Sequence, residues 1–175
     1  MKAISLKEPT FEQALNAAIL WCNAWERGEL SDEILAERVS ELLASREGGR
    51  GFFVISLTSD SPLMDRLPDP LVIKLREAGE TVIDLAVRNL AMSSAMALHH
   101  QRQEDETKQI GSERITARCL DLLRLLDPKK VKKRLETLLE ATKGEGVDVA
   151  FLERWGYDNQ QKLAIASSIY AVAES

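Results

Sequence analysis

Apolar residues recur at helical spacing over most of this 175-residue chain, and the longest such stretch runs from residue 71 to about 103. At about 100° per residue, its polar members Asp84, Arg88, Asn89, Ser93 and Ser94 scatter around the axis instead of forming one wet stripe. A helix that is apolar all round is a buried one. The pattern predicts an all-α protein, a multi-helix bundle around a long central helix, organised as one helical domain over residues 1–175. Asp69-Pro70 opens the central helix with a start signal, and the polar run 101–109 with Gly111 closes it.

The flanking helices read from their caps. Thr10-x-x-Gln13 is a capping box, after which Phe11, Ala14, Leu15, Ala18, Trp21, Cys22 and Trp25 fall on one arc. Ser31 caps a second helix that starts with Asp32 and Glu33 and turns Leu35, Val39, Leu42 and Leu43 inward. Ser112 is the expected cap of a helix past the central one, and Asp127-Pro128 opens another through Val131, Leu135, Leu138 and Leu139. A short helix over 147–155 should bury Phe151, Leu152 and Trp155, and Asp158 with Gln161 starts a last helix running to the C-terminus. Trp21, Trp25, Val82, Leu85, Leu90, Cys119, Leu123, Leu135 and Trp155 are the expected core.

One stretch departs from helical spacing. Gly48-Gly49-Arg50-Gly51 reads as a C-cap and turn. Phe52, Phe53, Val54, Ile55, Ser56 and Leu57 then read as a short strand or extended segment, being aromatic and β-branched. No second strand exists to pair with it. Residues 58–70, dense in Ser, Asp and Pro, read as a long ordered loop.

Charge and composition narrow the classes. The net charge of −5 disfavours nucleic acid. No apolar run approaches the roughly 20 residues of a membrane span, and Met1 to Thr10 shows no signal-peptide pattern, so a cytoplasmic protein is expected. Cys22 and Cys119 lie far apart without ligand spacing. His99 and His100 are adjacent, so their side chains point about 100° apart on a helix, whereas chelation from one helix needs i, i+4 spacing. No metal and no cofactor is called for, and no acid, base and nucleophile set clusters to support catalysis.

Four features remain as candidates. Asp84, Arg88 and Asn89 are polar anchors for a small ligand in a pocket between the central helix and the 58–70 loop, and Arg50 in the glycine run could meet an anion. Lys129, Lys130 and Lys133, with Lys132 and Arg134, crowd a helix start where the macrodipole favours anions. A bound anion would offset that placement, as would solvation with Lys132 paired to Glu136 at i, i+4. Phe52, Phe53, Ile55 and Leu57 form an apolar edge that invites a second chain.

The stretches Ser56-Leu-Thr-Ser-Asp-Ser-Pro-Leu-Met-Asp-Arg-Leu-Pro and Phe151-Leu-Glu-Arg-Trp-Gly-Tyr resemble conserved cyanobacterial proteins of unassigned function. That resemblance implies a source and no mechanism. The expected function is therefore a helical module for protein–protein interaction or regulation, pairing with itself as a homodimer or with another protein. The alternative is an enzyme or small-ligand-binding protein that uses the pocket just described.

Overall fold

The computed structural model describes residues 8–173, and among them all regular structure is helical, with no strand. Residues 1–7, within the stretch read for a leader, and 174–175, to which the last helix was expected to run, lie outside the described residues. No described helix is long and apolar enough to cross a membrane. The chain groups into two compact units, Met1–Leu85 and Ala86–Ser175.

The first unit holds α1 (Phe11–Glu26), α2 (Asp32–Leu43), α3 (Arg46–Thr58), a 3-10 turn (Pro62–Asp65), α4 (Asp69–Glu77) and the start of α5 (Glu80–Arg102). The capping box forms as its spacing predicts: Thr10 Oγ1 accepts from the Gln13 N–H at 3.0 Å, and Gln13 Oε1 accepts from the Thr10 N–H at 2.9 Å. Ser31 Oγ accepts from the Ile34 N–H at 3.1 Å. Helix α1 packs on α3 and α2, and α2 packs on α4. Ala14, Ala18, Leu35, Val39, Phe52, Phe53, Leu57, Leu63, Met64, Leu71 and Leu75 are buried.

Three sequence readings change here. The expected strand over 52–57 is helical, the second half of α3, and the glycine run before it is the first turns of that helix, not a turn. Ser45 caps α3 by accepting from the Gly48 N–H at 3.0 Å, and the buried positions 48, 49, 52, 53, 56 and 57 repeat at i, i+1, i+4 and i+5. The glycines are contact positions. A Cβ at Gly51 would lie 2.5 Å from the Ala14 Cβ of α1, and one at Gly48 would run into the Leu42 carbonyl oxygen. Strand preference is a weak local bias that such packing overrides. The 58–70 loop is shortened by the end of α3 and by the 3-10 turn, whose Leu63 and Met64 are buried. The long apolar helix is interrupted at Gly79, whose φ of +62° suits glycine and separates α4 from α5.

The second unit holds the remainder of α5 with α6 (Glu106–Leu125), α7 (Pro128–Thr142), α8 (Val149–Arg154) and α9 (Asn159–Val172). Helix α9 packs on α6 and α7, and α8 on α7. Helix α6 starts earlier than expected, because Asp105 caps it by accepting from the Lys108 N–H at 3.1 Å and Ser112 lies inside it. Leu90, Cys119, Leu122, Leu123, Leu138, Leu152 and Ile165 are buried.

Of the expected core, Val82, Leu90, Cys119, Leu123 and Leu135 are buried, while Trp21, Trp25 and Leu85 are half-buried. The Trp25 indole N–H donates to Asp32 Oδ1 at 2.7 Å, and such a polar handle keeps an indole near the surface. Trp155 is 53% exposed at the end of α8, with the Arg154 guanidinium 5.7 Å from its ring centroid.

Two glycine substitutions test this packing. Gly51→Ala is expected to destabilise the protein by about 1–3 kcal/mol, because overpacking against α1 outweighs the gain in helix propensity. Gly111→Ala, in open space within α6, is expected to stabilise by about 0.5–1 kcal/mol. Denaturant midpoints of the two variants check both signs, and equal shifts would remove the close approach of α3 to α1.

Candidate functional site

The candidate residues divide between the units. Asp84 is half-buried in the first unit, and Arg88 and Asn89 are half-buried in the second. Arg88 lies over the ring of Phe151, 5.1 Å from its centroid. Arg50 is exposed on α3, where its Nη1 donates to Glu47 Oε1 at 2.6 Å and its guanidinium sits 4.6 Å from the Phe11 ring centroid. It belongs to a helix face and not to an anion-cradling loop, since the glycines around it are helical.

Phe52, Phe53 and Leu57 are buried in the chain's own core and Ile55 is half-buried. An edge that could pair with another chain does not exist there, because the segment's backbone is hydrogen-bonded as helix. At the start of α7, Lys129 and Lys130 are exposed, but their backbone N–H groups both donate to Asp127 Oδ1, at 3.0 and 3.4 Å. The cap's own carboxylate occupies the position an anion would take. Lys133 is also exposed, and no ion pair joins Lys132 to Glu136 among the described residues.

Sequence reading did not single out a polar recess in the second unit, a notch of about 190 Å³ lined by Ser94, Ala97, Glu113, Thr116, Ala164 and Ser168. Small residues on α5 and α9 create it. Ser93 Oγ lies 2.7 Å from Thr116 Oγ1, and Ser94 Oγ lies 2.6 Å from Ser168 Oγ and 2.7 Å from the Leu90 carbonyl. Beside it the Gln161 Nε2 donates to the Ala95 carbonyl at 3.1 Å. The hydroxyls bond to one another and to backbone, so the arrangement joins helices. Its volume is below the roughly 300–1,000 Å³ of small-molecule sites. The small residues Ala91, Ser93, Ser94, Ala95 and Ala97 were the available signal for it.

Both cysteines are free and buried. Burial pushes the Cys119 thiol up to about 12; burial, then the nearby Glu26 charge, pushes Cys22 up to about 11. Both thiols are neutral near pH 7, which suppresses nucleophilic reactivity. The His99 and His100 rings meet edge to face, centroids 5.4 Å apart. Among the described residues, no group of three or more His, Cys, Asp or Glu side chains converges as a metal would require.

A family model described as "Uncharacterised conserved protein UCP020893" matches residues 10–172. The chain belongs to this family. Membership supports the resemblance to conserved proteins without an assigned function and does not bear on a cyanobacterial source. No curated protein and no solved structure matches the chain. The matched stretch spans every described helix of both units, from the cap of α1 to the end of α9.

One ion pair in the second unit carries a pH dependence. Asp158 caps α9 by accepting from the Gln161 N–H at 2.9 Å, and it accepts from Arg102 Nη1 at 2.7 Å and Nη2 at 3.3 Å. The Arg102 hydrogen bond, then the backbone bond from Gln161, holds its carboxyl below the ordinary value. A group whose pKa falls on folding adds stability above its unfolded pKa, about 3.9 for an Asp, and loses it as pH drops through the folded value. Asp158→Asn keeps a capping side chain but removes the charge. Its thermal midpoint should lie below the parent's at pH 7 and converge with it as pH falls through the folded value; a gap that stays constant as the pH is lowered would reject the assignment.

Proposed function

We propose that this chain is a helical module for protein–protein interaction that associates with a second copy of itself. The carrying observation is the apolar surface left in water in the second unit: Val147 is 81% exposed, Leu163 62%, Tyr170 57% and Trp155 53%. Leu163 and Tyr170 stand two turns apart on the outer face of α9, with the small residues Ala166 and Ser167 between them. Single exposed apolar residues are ordinary on a protein surface. Two large ones that share one face of α9, as Leu163 and Tyr170 do, instead favour a surface that another chain covers. Twofold self-association is the commonest form such contacts take.

Light scattering at micromolar and at near-millimolar concentration tests this reading. The mass should rise from one chain toward two chains across that range. A mass of one chain at every concentration would reject self-association.

A further inference from the structure

We propose that the outer face of α7 is the surface through which two copies pair, lying antiparallel across a twofold axis. This rests on the self-association reading above, and α9, whose apolar side chains carry that reading, packs on α7. Helix α7 buries Val131, Leu135, Leu138 and Ala141. At about 100° per residue, the arc diametrically opposite, about 60° wide, is filled by Lys129, Lys133, Glu136 and Glu140. All four are exposed. None of them makes an ion pair within the chain, among the described residues.

The order of charge along this stripe works against the helix that carries it. Cations occupy its N-terminal half, where the macrodipole is positive, and anions its C-terminal half, where it is negative. The first turn has no acidic residue and the last turn no basic one. Within a helix the favourable sequence is Glu followed by Lys, the reverse of what stands here. Only the cap residues, Asp127 and Lys143, carry the sign that the macrodipole favours, and the stripe between them runs against it.

A second copy gives one. The stripe is symmetric in position and opposite in sign about the midpoint between residues 134 and 135. Two such helices laid antiparallel across that midpoint set Lys129 opposite the partner's Glu140 and Lys133 opposite the partner's Glu136, and the twofold repeats both pairs. Antiparallel alignment also opposes the two macrodipoles. Parallel alignment would place lysine on lysine and glutamate on glutamate. An acidic partner would be repelled by Glu136 and Glu140, and a basic one by Lys129 and Lys133, so the mirrored stripe of another copy is the occupant that satisfies both halves. Exposed ion pairs set orientation and register more than affinity. The dimer is accordingly weak and salt-sensitive.

Complementary charge reversal tests the pairing by sedimentation over a concentration series at about 20 mM and about 500 mM salt. The double variant K129E/K133E carries four anions on the stripe, and E136K/E140K carries four cations. Each corrects its own helix with respect to the macrodipole, so each should fold at least as well as the parent, which thermal melts verify. The parent should dimerise at low salt and dissociate at high salt, each variant alone should be a monomer, and an equimolar mixture of the two should restore the dimer. A monomeric parent at all concentrations would overturn self-association itself. Dimers that persist in both variants would leave self-association standing and remove α7 as its surface, and failure of the mixture to restore pairing would overturn the antiparallel register.

Discussion

The contact of Gly51 with Ala14 is the constraint on which the first unit depends. With no side chain at Gly51, α3 comes close enough to α1 for its Phe52, Phe53 and Leu57 to be buried. Three glycines in a helix cost about 1 kcal/mol each relative to alanine. Burying two phenylalanines and a leucine contributes about 1.5–3 kcal/mol each, so packing decides that the segment is helical. The same contact removes the strand edge that the local composition suggested.

The second unit is organised by polar contacts between helices as well as by its apolar core. Two hydroxyl pairs join α5 to α6 and α9, and the side chain of Gln161 reaches the Ala95 carbonyl. Arg134 meets Asp148 through two hydrogen bonds at 2.5 and 3.2 Å, with both groups largely withdrawn from water. Each neutral hydrogen bond contributes only about 0.5–1.5 kcal/mol net, yet leaving such a buried group unsatisfied costs about 1–3 kcal/mol. Wrong helix registers are therefore penalised more strongly than the right one is rewarded.

The outward surfaces of this unit follow different logic. Helix α9 exposes apolar side chains opposite its buried face, and α7 exposes charges in an order that its own dipole disfavours. The buried thiols, their pKa values raised by desolvation, and the mutually bonded hydroxyls have structural explanations in the packing around them.

The sequence by itself determined the all-helical class, the capped starts at Thr10, Ser31, Asp127 and Asp158, and the inward faces of α1, α2 and α7, because caps and 3.6-residue periodicity act within a few turns. It also displayed the lysines of α7 and their spacing from Glu136 and Glu140. Tertiary structure decided the remainder. Glycine in a sequence reads as a breaker, and only the distance to Ala14 shows Gly51 to be a contact. The hydroxyl notch joins residues more than 70 positions apart, Ser94 and Ser168. Whether Phe52 faces water or a neighbouring helix is likewise a property of packing between distant segments, which local propensity does not encode.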